Sequence, residues 1–72
     1  MKASRLVAMA NQIGAFFRVH GDAIAEAGVE DHLRKYWDPR MRAQILAHLR
    51  AGGEGLDPAV RAAVARLETG EG

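Results

Sequence analysis

The side chains with recognising or reactive chemistry gather in one stretch of this 72-residue sequence, His32-Leu33-Arg34-Lys35-Tyr36-Trp37-Asp38-Pro39-Arg40-Met41-Arg42. Two aromatics and four basic groups around one corner match the composition of partner surfaces, where tryptophan, tyrosine and arginine act as anchors. Three readings of Arg42 are open. Counted at 100° per residue, it projects between Leu46 and Leu49 on the apolar side of its helix, so its guanidinium must find a partner or reach the edge. In the first reading its stem covers the core and its head pairs with Asp38 or another surface acid. In the second it docks a partner protein together with Arg34, Tyr36, Trp37, Arg40 and Met41. In the third, Arg34, Lys35, Trp37, Arg40 and Arg42 form an anion or nucleotide site, using arginine forks and an indole for stacking. The carboxylate of Asp38 weakens this last reading, because it already caps the adjacent helix N-terminus. Asn11 and Gln12 form a second candidate pair: they are expected to face solvent, and in a functional role their amides would bond the backbone of a partner.

Catalytic chemistry finds little support. His20, His32 and His48 fall on three different segments, with no i, i+4 pair and no HExxH partner, so they are read as ordinary hydrogen-bonding histidines. Glu26, Glu30 and Asp31 are expected on the wet side of their helix, which leaves no carboxylate pair for acid/base work. Gly52-Gly53-Glu54-Gly55 follows a helix and lacks the lysine and hydroxyl of a phosphate loop, so it is a cap and a turn. With no cysteine in the chain, thiol catalysis, iron–sulfur ligation and disulfides are excluded.

The elements that position these residues are helical throughout. Leu6, Met9, Ala10, Ile13, Phe16 and Phe17 recur at three- and four-residue steps and fall within an arc of about 120°, a core-facing helix with Ser4 as its expected N-cap and Gly21 as its stop. A second stripe of about 140°, formed by Ala25, Gly28, Val29, His32, Leu33 and Tyr36, starts near Asp22. Asp38-Pro39 and Asp57-Pro58 each place a capping acceptor before a proline at the first helical position, marking two more helix starts. The third helix runs from Pro39 to about Ala51, with Met41, Ile45, Leu46 and Leu49 inward. The fourth runs from Pro58 to about Leu67, with Val60, Ala63, Val64 and Leu67 inward. The expected fold is an all-α bundle of three to four short helices, forming a single domain over residues 1–68, with residues 69–72 a flexible tail.

Composition sets the remaining bounds. Of 35 apolar residues 14 are alanine, leaving 21 larger side chains. A domain this small buries only about 60% of the surface its unfolded chain exposes, so the core is thin and a larger partner is attractive as a cover. The longest uncharged stretch, Leu6 to Phe17, is too short for a membrane helix, which needs ~20 residues. The N-terminus lacks a cleavage site and reads as mature protein, with the cytoplasm as the default compartment. The net charge of +1 gives no drive towards nucleic acid, although the region from His32 to Arg50 carries +4. The alanine-rich fourth helix leaves self-association open.

Specific strings point further. Met9-Ala10-Asn11-Gln12-Ile13 with Phe16-Phe17, then Trp37-Asp38-Pro39-Arg40-Met41-Arg42, then Gly52-Gly53 with Gly55-Leu56-Asp57-Pro58, in this order, resemble the delta subunit of NAD-dependent formate dehydrogenases. The resemblance spans roughly Leu6 to Val64; Tyr36 stands where that family commonly has phenylalanine. It implies a small, non-catalytic accessory protein of a cytoplasmic enzyme. The expected partner is the large catalytic subunit, or its maturation machinery. That enzyme would carry a molybdenum or tungsten pterin cofactor, iron–sulfur clusters, flavin and NAD on other subunits. By the same resemblance, this chain would support assembly, cofactor loading or stability. Replacing Trp37 or Arg42 by alanine is then expected to cost partner recovery while sparing helix content.

Overall fold

Proline, glycine and a capping carboxylate divide the chain into four helices in the computed structural model, which describes residues 2–68. They are α1 (Ala3–Arg18), α2 (Asp22–Tyr36), α3 (Pro39–Arg50) and α4 (Pro58–Leu67), and no strand occurs among the described residues. The expected tail at residues 69–72 lies outside them. Gly21, at φ +103°, turns the chain from α1 into α2 in a region that L side chains rarely adopt. Asp38 Oδ1 accepts a hydrogen bond of 2.8 Å from Met41 N and so caps α3, whose first residue is Pro39. The far end of α3 closes with Gly53 N donating to His48 O and Gly52 N to Leu49 O, the pair of bonds that defines a Schellman cap, with Gly52 at φ +122°.

Two expected caps are different. Ser4 lies inside α1, because the helix begins one residue earlier and takes Lys2 as an N-cap without a side-chain bond. Asp57 holds the N-cap position of α4, but its side chain makes no capping bond. Its backbone instead fixes the turn, with Arg61 N donating to Asp57 O at 2.7 Å and Asp57 N donating to Asn11 Oδ1.

One core joins the elements: Leu6, Val7 and Ala10 of α1, Val29 and Leu33 of α2, Trp37, Ile45 of α3, Leu56, and Val60, Ala63, Val64 and Leu67 of α4. Burying each larger aliphatic side chain stabilises the fold by about 1.5–3 kcal/mol. No helix among the described residues is long and apolar enough to cross a membrane.

The inner face of α1 is turned away from the expected stripe. Gly14 is buried, and a Cβ there would meet Val60 Cγ2 at 2.5 Å, so α4 approaches α1 at the one position that lacks a side chain. This contact turns Val7, Ala10 and Gly14 inward and leaves Phe16 outside, 74% exposed. Phe17 instead folds over Gly28 of α2, where a built Cβ would lie 2.7 Å from its ring. Tyr36 also departs from its stripe. Trp37, four residues after Leu33, fills the end of the core at 5% exposure, and Tyr36 points outward at 72%.

Candidate functional site

The corner between α2 and α3 is built around the Arg42 guanidinium. Its Nη1 donates to the carbonyls of Leu33 at 3.4 Å and Arg34 at 3.3 Å, and to that of Trp37. A cation at this position satisfies carbonyls in the last turn of α2 and just beyond it, and opposes the negative end of the helix dipole. Arg42 therefore pairs with backbone oxygens and not with Asp38, whose carboxylate is turned to its own helix. Because Trp37 is core and Arg42 holds α2, alanine at either position attacks the fold, contrary to the expectation that such variants would spare helix content. Trp37 also presents no face for docking or stacking.

The remaining basic groups are distributed. Arg34 Nε binds Glu30 at 2.9 Å, and its Nη2 donates to Arg66 O at 2.9 Å. Arg66 reaches Glu26 at 3.2 Å and Glu30 at 2.8 Å. These four side chains bind α2 to α4, so Glu26 and Glu30, expected on a wet face, lie on a flank that α4 covers; the Glu30 side chain is only 16% exposed. Lys35 pairs with Asp31 at 3.2 Å in the solvent. Arg40 is exposed, Met41 is half-buried against the core, and Tyr36 stands beside His32 with ring centroids 4.8 Å apart. The five residues of the anion or nucleotide reading thus share no cavity, and of their four basic heads Arg40 alone makes no hydrogen bond or ion pair with the described residues.

Asn11 and Gln12 separate. Asn11 Nδ2 donates to Gly55 O at 2.8 Å while its Oδ1 accepts from Asp57 N at 3.0 Å, so the amide neither faces solvent freely, as expected, nor waits for a partner, but bonds the backbone of this chain's own α3–α4 loop. Gln12 is exposed. The same loop is held by His48 Nε2 against Glu54 O at 2.8 Å and by Arg61 Nη2 donating to Gly52 O at 2.5 Å. The three histidines lie apart: His48 holds this loop, His32 stands beside Tyr36 and His20 is exposed after α1, and no group of three or more His, Asp or Glu able to hold a metal ion occurs among the described residues.

What sequence reasoning missed lies elsewhere. Phe16 and Val19 are about three-quarters exposed on the outer side of α1 and at its end, and Ile24 is half exposed on the first turn of α2. A signal was present: adjacent phenylalanines on a helix are 100° apart, and only one of them can lie deep in a thin core.

Four helices whose charged and amide groups are largely committed to the chain's own backbone and to one another, with Phe16, Val19, Ile24 and Tyr36 left outside, define a small all-α protein. The chain belongs to the family of NADH-dependent formate dehydrogenase delta subunits, FdsD, whose profile matches residues 5–64. No curated protein and no solved structure matches it.

Proposed function

We propose that this chain is a non-catalytic accessory subunit of a cytoplasmic, NAD-dependent formate dehydrogenase, and that it supports assembly, cofactor loading or stability of the large catalytic subunit through protein–protein contacts. Membership of the delta-subunit family over residues 5–64 carries the reading. The chemistry of the chain is compatible with it: it has no thiol for a cluster, and among the described residues Glu26, Glu30 and His48 serve ion pairs and a backbone contact within the fold. In this reading the molybdenum or tungsten pterin, the iron–sulfur clusters, the flavin and NAD are held by other subunits. Contacts are made with the large subunit or its maturation machinery, and with neither nucleic acid nor membrane. A nucleotide- or anion-binding role is not favoured, because Arg34, Lys35 and Arg42 are engaged within the fold and Trp37 is buried.

The test is to produce the formate dehydrogenase subunits with and without this chain, and to measure its co-purification, metal content, formate oxidation and thermal inactivation. Co-purification with loss of metal in its absence identifies cofactor loading. Full metal but faster inactivation identifies stabilisation. Subunits identical in all these measurements, together with no retention on the tagged chain, would refute the proposal.

A further inference from the structure

The outer face of α1 is the least accounted-for surface of the molecule. Arg5, Ala8, Gln12, Ala15, Phe16 and Val19 are all exposed, and at 100° per residue they fall within about 100° of one another, opposite Leu6, Val7, Ala10 and Gly14. Phe16 and Val19 leave their apolar surface in water at 74% and 79% exposure. The charge on this element is one-sided. No acidic residue occurs between Lys2 and Gly21, Lys2 and Arg5 have no ion pair among the described residues, and Arg18 reaches Asp22 only at 3.9 Å. Between Arg5 and Arg18 the helix carries no charge.

We infer that this face docks an amphipathic helix of a partner subunit, one whose apolar stripe is flanked by carboxylates that meet Lys2 and Arg5 at one end and Arg18 at the other. The inference rests on the accessory-subunit reading and names the surface and the chemistry of its partner. A helix of 16 residues, about 24 Å long, offers a seam for a second helix, with Phe16 as the projecting side chain and Ala8 and Ala15 permitting close approach. A second copy of this chain laid antiparallel would bring Lys2 and Arg5 to the Arg18–His20 end of its neighbour, basic against basic, where the nearest carboxylate, Asp22, already faces Arg18. A lipid surface gains little from a face with only two large apolar side chains.

The test uses the full chain, tagged and produced together with the formate dehydrogenase subunits. Phe16→Glu and Val19→Glu should each leave the circular dichroism and melting temperature of the chain unchanged and weaken its retention of the complex by about thirtyfold, as expected for an interface anchor. The double variant Lys2→Glu, Arg5→Glu should also weaken retention and remove most of its salt dependence. Tyr36→Ser and Arg40→Glu, at the other corner, should retain the complex as the unmodified chain does. Wild-type retention by Phe16→Glu and Val19→Glu would overturn the inference while leaving the accessory role intact, as would loss of retention confined to the Tyr36 and Arg40 variants. A dimer that Phe16→Glu converts to monomer without affecting retention would assign the face to a second copy. Binding to phosphatidylserine vesicles in place of the subunits would assign it to lipid. Failure of the unmodified chain to be retained would overturn both this inference and the function it rests on.

Discussion

Replacement of Arg42 by methionine separates a structural arginine from a docking one. Methionine keeps an unbranched apolar stem at the half-buried position but withdraws the guanidinium from Leu33 O, Arg34 O and Trp37 O. The three bonds share the two N–H groups of one nitrogen, and two of them are 3.3–3.4 Å long, so together they count as about one hydrogen bond to a charged donor at the weak end of its range, about 1.5–2 kcal/mol. The interaction with the end of the α2 dipole adds about 0.3–1 kcal/mol. A loss of about 2–3 kcal/mol follows, from a total that is on the order of 4–11 kcal/mol for a domain of this length. The melting temperature should fall by about 10–20 °C. Arg42→Lys keeps the charge without the planar fork and should lose about half as much. Urea titration followed by circular dichroism at 25 °C measures both losses, with the slope in urea expected to stay constant. A methionine variant within about 0.5 kcal/mol of the parent would refute the reasoning and return Arg42 to the list of docking side chains.

Three further outcomes are expected. Asn11→Ala removes two hydrogen bonds and should destabilise by about 2 kcal/mol, and Asn11→Asp by nearly as much, because its carboxylate turns an acceptor towards Gly55 O; the same titration reports both. Gly14→Ala places a Cβ 2.5 Å from Val60 Cγ2 and should cost about 1–3 kcal/mol, partly recovered in the double variant with Val60→Ala, a coupling of at least about 0.5 kcal/mol in a double-mutant cycle. Trp37→Ala should cost about 3–5 kcal/mol, seen as loss of helical signal at moderate temperature, and so is no clean test of docking.

The helix boundaries were legible because they depend on local chemistry. Asp38-Pro39, Pro58 and the Gly52-Gly53 turn act on neighbours a few residues away, and each stands where the sequence placed it. The inner side of α1 was less legible, since periodicity counts side chains and Gly14 matters through lacking one. Glu30 reads as a surface residue until α4 is laid beside it, bringing Arg66 to 2.8 Å. The aromatic and basic corner stands out in the sequence by composition, yet its tryptophan and Arg42 serve the fold. Which carbonyls Arg42 would meet depends on how α3 folds back over the end of α2, and spacing along one helix does not contain that. Asn11 is expected from the sequence to face solvent or to bond a partner's backbone; that it bonds the chain's own, 44 residues away, is a property of the tertiary fold.

That bridge bears on the order of folding. The bonds from Asn11 reach across 44 and 46 residues, so they form only after most of the chain has been gathered, while each helix coils within its own neighbourhood. Closure of so long a segment is opposed by chain entropy, and contacts of this kind contribute little until the rate-limiting barrier is behind. Asn11 then acts as a latch on a finished structure: it does not hasten the collapse of the bundle, but lengthens the time for which the bundle stays shut.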